Sequence, residues 1–340
     1  MGLRIDTLRP QSVARFRERR GENGRALRIA LVNNMPDAAL TTTERQFASL
    51  IGAASRDLDV RLELVALESV PREAGVREAM RERYRAPGDL IASAPDALIV
   101  TGAEPRAPDL TEEPYWRELS ALIDWARGGV ASALYSCLAA HAAVQRHDGI
   151  ARRPREGKLS GVFTSEIVAA HELTHGLDAA LTPHSRYNDL AESDLAAHGY
   201  RVLARSREAG VEMFVKDGAT LEIYWQGHPE YDADSLAREY RRDLLRFLRG
   251  ERARPPALPE NYLSDEMRAR VEERLAAALR GTAEELAVAL QPEDFAPARA
   301  LWRASAQRLM GNWLDAVARR KPIAAEARRR SPAEPTRFAG

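Results

Sequence analysis

The cysteine at position 137, the only one in the 340-residue chain, lies between two segments of different character. Residues 130–136 (Val-Ala-Ser-Ala-Leu-Tyr-Ser) are small or apolar and predict a buried strand of a parallel sheet. The segment that begins at Leu138 is rich in alanine, without Gly or Pro before Gly149, and predicts a helix. The free N–H groups and dipole at a helix start favour a thiolate and can hold an oxyanion. Cys137 is therefore a candidate nucleophile, although free cysteines are also common in cores.

A histidine and a glutamate that could assist such a thiol follow a later predicted strand. Residues 225–230 read Trp-Gln-Gly-His-Pro-Glu. Thiol catalysis needs a base within hydrogen-bond reach and a third group that orients this base. If Pro229 turns the chain, His228 and Glu230 can face the same pocket. The pattern predicts a Cys–His–Glu group, whereas His228 alone would more often be structural or solvated.

A second pattern, H-E-x-x-H at residues 171–175, is typical of zinc sites when it lies on a helix. It would place the imidazoles of His171 and His175 on one face, with Glu172 as general base. However, Gly176 follows at once, so any helix is short, and Glu192 is the nearest candidate for a third ligand. We expect a pair of loop or surface histidines and no metal site.

Two further polar groups could bind a substrate. Residues 183–187 (Pro-His-Ser-Arg-Tyr) form a rigid polar loop, unless they are an ordinary turn. Glu239 and Arg242 lie three residues apart and therefore share one helical face. Such a pair is usually a surface salt bridge. If its face points into a cleft, Arg242 could bind the carboxylate of an amino acid and Glu239 its ammonium group.

The overall composition limits the possible partners. The chain carries 50 acidic and 50 basic side chains, so net charge gives no reason to expect nucleic acid or an anionic membrane as partner. A single cysteine excludes an internal disulfide. The first residues lack the apolar core of a signal peptide, and no apolar run approaches the ~20 residues needed to span a bilayer. We expect a soluble cytoplasmic protein.

Predicted strands and helices alternate along the first half of the chain, which favours an α/β fold with a mostly parallel sheet flanked by helices. The functional residues of such sheets collect at the carboxyl ends of the strands, where Asn33, Gly102 and Cys137 fall. We predict a flexible N-terminal arm over residues 1–25 and a catalytic domain over 26–250. A helical extension over 251–318 would pack on this domain, and residues 319–340 would form a basic polar tail.

Taken together, these segments resemble the homoserine O-succinyltransferase/O-acetyltransferase family of methionine biosynthesis, which is built on a class I glutamine-amidotransferase-like fold. The resemblance runs in order from about residue 27 to 316. It rests on Cys137, on Tyr115-Trp116, on Trp302 with Asn312-Trp313-Leu314, and on the segments at 28–36, 96–103, 158–163, 180–187, 227–232 and 239–242.

The resemblance implies acyl transfer by a ping-pong route. Cys137 would attack the thioester of succinyl-CoA or acetyl-CoA, which is a co-substrate, with no cofactor held by the protein. Backbone N–H groups of Leu138 and Ala103 would hold the oxyanion. His228, oriented by Glu230, would take the proton from the hydroxyl of L-homoserine. The resemblance also implies a homodimer.

Family positions that line the substrate site correspond to Lys158, Ser185, Glu239 and Arg242. Arg106 stands where the family carries a small residue in succinyl users and an acidic one in acetyl users. A cation there would pair with a succinyl carboxylate, so the succinyl donor is favoured. The acceptor stays open, because serine differs from homoserine by one methylene, which a pocket discriminates by only about 1–3 kcal/mol.

The chain departs from the family at two positions. Leu138 stands where relatives commonly carry Trp, and His141 stands where they carry Gln. Three other functions remain as alternatives: a Cys–His–Glu amidotransferase or hydrolase on the same fold, a zinc metalloprotease, and a sensor that has kept the fold without catalysis. The presence of both the thiol and the base argues against the sensor.

Overall fold

The computed structural model of the protein describes residues 3–6, 26–278, 291–297 and 299–330. Within these residues, ten strands join in one sheet. In chain order they are β1 (Leu3–Asp6), β2 (Leu27–Val32), β3 (Val60–Val65), β4 (Ala97–Val100), β5 (Ser132–Ser136), β6 (Arg153–Ile167), β7 (Ala179–Asp189), β8 (Arg201–Ser206), β9 (Gly210–Lys216) and β10 (Leu221–Trp225).

Nine α-helices of the described residues accompany these strands. They are α1 (Asp37–Ala54), α2 (Ala74–Arg81), α3 (Gly88–Ser93), α4 (Trp116–Gly129), α5 (Leu138–Asp148), α6 (Glu192–Ala197), α7 (Ser235–Leu248), α8 (Asp265–Ala278) and α9 (Arg303–Arg330). Short 3₁₀ turns lie at Leu110–Glu112, Glu172–Thr174 and Pro292–Phe295. None of the described helices combines the length and apolar character that crossing a bilayer requires.

The sheet has a parallel half and an antiparallel half, in the order β1-β3-β2-β4-β5-β10-β9-β8-β6-β7. Neighbouring strands from β1 to β10 are parallel, and those from β10 to β7 are antiparallel. Ser136 of β5 pairs with Trp225 of β10, so the segments that follow these two strands leave the sheet side by side. The predicted fold, a mostly parallel sheet flanked by helices, is confirmed.

Both faces of the sheet are covered because alternate strand residues point to opposite sides. On one face, Ile29 packs in a core with Phe47 of α1 and Trp313 of α9. On the other face, the next residue, Ala30, lies in a second core with helices α4 and α5. The strands are therefore buried on both sides, which explains their nearly continuous apolar sequences.

The beginning of the chain is more ordered than a loosely held arm. Leu3–Asp6 forms the edge strand β1, which pairs in register with the start of β3 at Val60. Leu3 is buried in the same core as α1. This strand forms because it pairs with β3, which is distant in sequence. The Arg-rich local sequence therefore does not predict it. Residues 7–25 of the predicted arm lie outside the described residues.

The C-terminal segment also differs from the expectation of helices that end near residue 318. Helix α9 continues to Arg330, and the predicted basic tail therefore begins as helix. Arg319 bonds to Glu172, and Arg320 bonds to Asp217, so the basic residues have acidic partners on the sheet domain. Residues 331–340 lie outside the described residues.

The H-E-x-x-H segment serves as part of the docking site for α9. Glu172–Thr174 is a single 3₁₀ turn, too short to set two imidazoles on one face of an α-helix. The side-chain amide of Asn312 donates to the carbonyl oxygens of Leu173 (2.8 Å) and His175 (2.9 Å). Within the described ranges, no three His, Cys, Asp or Glu side chains are grouped as a metal site requires.

Candidate active site

Cys137 occupies a sharp turn between β5 and α5. Its φ of 51° and ψ of −114° are unusual for a residue with a side chain, and such strain persists only where the surrounding structure imposes it. The backbone N–H of Cys137 donates to the carbonyl of Trp225 at 2.7 Å, which fixes the turn to β10. The cysteine is partly exposed, and its side chain lines a cleft.

This cleft, of about 280 Å³, lies at the carboxyl edge of the parallel strands. It brings together nine of the ten residues that the sequence assigned to the site. They are Cys137, His228, Glu230, Leu138, Ala103, Lys158, Ser185, Glu239 and Arg242. The tenth, Arg106, is exposed and lines an adjoining groove with Glu113 and Arg246.

His228 connects the thiol with Glu230. Its Nδ1 donates to Oε1 of Glu230 at 2.8 Å, and the same ring hydrogen-bonds the side chain of Cys137. Burial by itself would lower the pKa of His228, but attraction to Cys137 and then to Glu230 raises this pKa well above its usual value. The geometry therefore favours a protonated imidazole beside the sulfur.

A close approach between the segment that follows β10 and strand β7 holds His228 in place. A Cβ at Gly227 would lie 2.5 Å from Cγ2 of Thr182 and 2.9 Å from the carbonyl oxygen of Pro183, so only glycine fits there. The next N–H, that of His228, donates to the same Pro183 carbonyl at 2.8 Å. The ring of His228 stacks on Tyr231 with the centroids 4.3 Å apart.

A second close approach brings the loop after β4 to the start of α5. A Cβ at Gly102 would lie 2.7 Å from Cβ of Leu138 and 3.2 Å from its backbone nitrogen. Leu138 is the first residue of α5, where N–H groups have no acceptor within the helix. The contact places the Gly102–Ala103 backbone next to this N–H, an arrangement that suits two donors to one oxyanion.

The other end of the cleft is organised around Glu239. Its Oε1 accepts from the hydroxyl of Tyr231 at 2.6 Å, and its Oε2 accepts from Nζ of Lys158 at 2.9 Å and from the hydroxyl of Ser185. Burial would raise the pKa of Glu239, but the cations Lys158 and Arg242 and the hydrogen bonds together lower it to about 2. Glu239 is therefore an anion at neutral pH.

The sequence is also similar to proteins of known family. A model of the homoserine O-succinyltransferase family matches residues 4–323. The chain belongs to this family. A homoserine O-succinyltransferase from Methylorubrum extorquens is 47% identical over 304 residues, which cover 88% of this chain and 90% of that protein. One from Rhodopseudomonas palustris is 50% identical over 244 residues, 72% and 73% of the two chains.

A solved structure of a glutamine amidotransferase from Thermotoga maritima aligns with 87% of this chain and 99% of its own, with 13% sequence identity and a TM-score of 0.47. The family membership rests on the sequence matches. The resemblance to homoserine O-succinyltransferases inferred from the motifs is thereby confirmed.

Sequence reasoning missed a buried network beneath the thiol of this homoserine O-succinyltransferase family member. Nη1 of Arg186 donates to Nδ1 of His184 at 2.9 Å, and Nε2 of His184 lies 2.6 Å from Oε2 of Glu212. Arg186 lines the cleft and attracts Cys137 electrostatically. The Pro-His-Ser-Arg-Tyr motif contains the signal, but the prediction of a loop or turn is wrong: these residues belong to β7, where neighbouring side chains point to opposite faces and make separate contacts.

Two further cleft residues, Arg152 and His141, were also not assigned to the site. Arg152 lies in a segment with several arginines, and the sequence does not indicate which of them faces the cleft. His141 lies four residues, about one helical turn, after Cys137. This spacing alone predicts that its side chain lies on the same side of α5 as Cys137.

The low pKa of Glu239 predicts a pH-dependent stability. A carboxyl group whose pKa is lower in the folded than in the unfolded state stabilises the fold above its unfolded pKa, and this contribution disappears as pH falls through the folded pKa. With values of 4.5 and about 2, we expect Glu239→Gln to lower the free energy of unfolding by at most roughly 3 kcal/mol above pH ~5. The deficit should shrink between pH ~4.5 and ~2.

Urea unfolding of both proteins at a series of pH values measures this difference. Glu78→Gln is a matched control, because Glu78 forms an exposed salt bridge with Arg81 and should cost little at any pH. A deficit in Glu239→Gln that is the same at pH 3 and pH 7 would show that the ionisation of Glu239 does not stabilise the fold.

The contact between Gly102 and Leu138 predicts the effect of a single methyl group. We expect Gly102→Ala to lower kcat/KM by about 10²–10³-fold, because the added Cβ displaces the loop that carries Ala103, one of the two predicted oxyanion donors. Gly75→Ala is the control, since a Cβ there meets no atom within 4 Å. The rate of Cys137 alkylation by iodoacetamide should stay unchanged in both variants. Normal turnover by Gly102→Ala would rule out the predicted oxyanion site.

Proposed function

We propose that the protein transfers the succinyl group of succinyl-CoA to the hydroxyl of L-homoserine through an acyl thioester on Cys137. The observation that carries this proposal is the contact of His228 with both Cys137 and Glu230 in one cleft. Family membership and relatives named homoserine O-succinyltransferase support the choice of reaction and substrates.

In the first half-reaction, the thiolate of Cys137 attacks the thioester carbonyl of succinyl-CoA and forms a new C–S bond. The tetrahedral intermediate then collapses and breaks the C–S bond to CoA. The protonated ring of His228 donates its proton to the departing thiolate, so that CoA leaves as a thiol. One thioester replaces another, and the step therefore has little thermodynamic cost.

The acylated enzyme makes His228 a base. Attraction to Cys137 is the largest influence that raises the pKa of His228, and the sulfur of a thioester carries no charge. The pKa of His228 should therefore fall after acylation. The neutral ring then takes the proton of the homoserine hydroxyl, whose oxygen attacks the acyl carbon. Collapse of this second intermediate breaks the bond to Cys137 and regenerates the thiolate beside protonated His228.

The cluster at the far end of the cleft suits an amino-acid acceptor. Glu239 offers an anion for the ammonium group, and Arg242 offers a partly exposed cation for the carboxylate. Lys158 and Ser185 both bond to Glu239 and hold its carboxylate in position. We propose that these four residues bind L-homoserine with its hydroxyl directed to Cys137.

Mass spectrometry of the intact protein tests the proposal. After mixing with succinyl-CoA alone, we expect the mass of one succinyl group on Cys137, and this adduct should disappear when L-homoserine is added. Acetyl-CoA and L-serine are the competing donor and acceptor. Failure of every acyl-CoA to acylate Cys137, or removal of the group by water as fast as by any amino acid, would overturn the proposal.

The assembly and the location of the enzyme are also proposals. We infer a cytoplasmic homodimer without a bound cofactor from the resemblance to the family. Sedimentation of the purified protein at micromolar concentration measures the oligomeric state, and a monomer would contradict the inference.

A further inference from the structure

The cationic side chains of the cleft differ in how their charge is balanced. Four line it: Arg152, Lys158, Arg186 and Arg242. Lys158 and Arg242 both pair with Asp243, at 2.8 and 3.0 Å, and Arg186 pairs with Asp189 at 2.8 Å. Among the residues that the structure describes, the guanidinium of Arg152 has no carboxylate within ion-pair distance. Glu113 and Asp109 attract it from beyond that distance, so no carboxylate occupies the position of a direct ligand.

The hydrogen bonds of Arg152 leave one side of the guanidinium open. Nη2 donates to the backbone carbonyls of Ala107 (3.1 Å) and Pro108. Nη1 is buried and meets no acceptor in the described part of the chain. An unsatisfied buried donor is costly, and the cost is larger for a charged group. Burial lowers the pKa of Arg152, although guanidinium stays protonated in proteins.

His141 lines the same cleft as Arg152, and its ring hydrogen-bonds the side chain of Gln226. It follows Cys137 by one turn of α5 and is only 3% exposed, yet its Nδ1 meets no partner among the described residues. Burial, followed by repulsion from Arg186 and Arg152, lowers the pKa of His141 to about 3. The ring is therefore neutral at physiological pH and does not repel Arg152.

We propose that Arg152, with His141 beside it, forms the subsite for the terminal carboxylate of the donor's succinyl group. This inference rests on the proposed function. A succinyl group attached to Cys137 carries its free carboxylate a few bonds from the sulfur, in the same cleft. The carboxylate supplies the acceptor that Nη1 lacks and the direct ion-pair partner that Arg152 lacks. An acetyl group supplies neither.

The carboxylates of the two substrates are assigned to two different arginines of the cleft. Arg242, expected to hold the acceptor's carboxylate, lies with Lys158 and Glu239, whereas Arg152 contacts the loop at 107–108 that follows Ala103. The position that the family resemblance singles out for donor choice, Arg106, is exposed in the adjoining groove. In this chain, we therefore expect Arg152, just before β6, to be the cation that selects succinyl.

Variants of Arg152 test the subsite through the ratio of two donors. We expect Arg152→Gln to lower kcat/KM for acylation of Cys137 by succinyl-CoA about 10–100-fold, the loss of a charge-assisted hydrogen bond. Acylation by acetyl-CoA should change less than about threefold, and Arg152→Lys should recover part of the succinyl rate. Arg153→Gln is the matched control, because Arg153 is the next residue and forms an exposed pair with Asp194.

Each outcome decides the proposal. An equal loss with both donors would mean that Arg152 only supports the 107–108 loop, and an unchanged ratio would mean that it does not contact the acyl group. A preference that instead follows Arg106→Gln would also overturn it. If wild-type Cys137 accepts neither donor, the proposed function fails; if it accepts succinyl and Arg152→Gln keeps the wild-type ratio, only the subsite fails.

A measurement on the wild-type enzyme covers the case in which Arg152→Gln does not fold. Succinamoyl-CoA, in which an amide replaces the terminal carboxylate, has nearly the same shape as succinyl-CoA but no charge. We expect it to acylate Cys137 about 10–100-fold more slowly than succinyl-CoA does. Equal rates would show that no cation of the cleft binds this carboxylate.

Discussion

Replacement of Cys137 by serine is expected to lower kcat/KM by about 10⁴-fold or more. The hydroxyl of serine is a far weaker nucleophile than a thiolate, and the oxygen ester that it would form is a poorer acyl donor than a thioester. Steady-state assays with succinyl-CoA and L-homoserine measure the loss. Intact-protein mass spectrometry should show acylation of the variant by succinyl-CoA slowed by the same factor.

The same variant reports on the charge of the site. Attraction to Cys137 opposes the effect of burial and raises the pKa of His228, so this pKa should fall in Cys137→Ser. The hydrogen bond from His228 to Glu230 should remain, because it does not involve the sulfur. An NMR titration of the imidazole in both proteins measures the change. An active Cys137→Ser enzyme, or an unchanged pKa of His228, would contradict the mechanism.

Replacement of His228 by asparagine is expected to lower kcat by about 10²–10⁴-fold. Asparagine keeps a polar group of similar size, but it can neither donate a proton to the departing CoA nor accept one from homoserine. Both half-reactions should slow, and single-turnover mass spectrometry separates them. His198→Asn is the matched control, because His198 is an exposed histidine at the end of α6.

Glu230→Gln tests how the base is oriented. The amide can still reach Nδ1 of His228 but cannot stabilise a protonated ring, so the attraction that raises the pKa of His228 is reduced. We expect a smaller loss than for His228→Asn and a shift of the acidic limb of the kcat/KM profile for L-homoserine to lower pH, because His228 acts as a base toward this substrate. A Glu230→Gln enzyme with the wild-type pH profile would show that Glu230 does not influence the base.

The parallel half of the sheet and its helices could be predicted from the sequence because their patterns are local. Apolar runs marked β2, β4 and β5, and the Ala-rich segment after Cys137 marked α5. The grouping of Cys137, His228 and Glu230 in one cleft could be predicted because the chemistry of a thiol, an imidazole and a carboxylate restricts their surroundings. Spacing placed Glu239 and Arg242 on one helical face, and family resemblance added Lys158 and Ser185, which lie on other elements.

Features that depend on distant partners could not be predicted. Strand β1 has only four residues, and its identity comes from pairing with β3. The continuation of α9 beyond residue 318 depends on acidic groups elsewhere, among them Glu172 and Asp217. The same reason applies to the site. That Arg152 has no direct ion pair among the described residues can be recognised only when the positions of the carboxylates are known.

The position of α9 has a consequence for biosynthesis. The indole N–H of Trp313 donates to the hydroxyl of Ser132, in the strand that leads to Cys137, and these residues are 181 positions apart. During translation, this face of β5 therefore cannot pack against α9 until α9 has left the ribosome. Until then the nascent chain presents an uncovered apolar sheet face, which is a binding surface for chaperones and a starting point for aggregation.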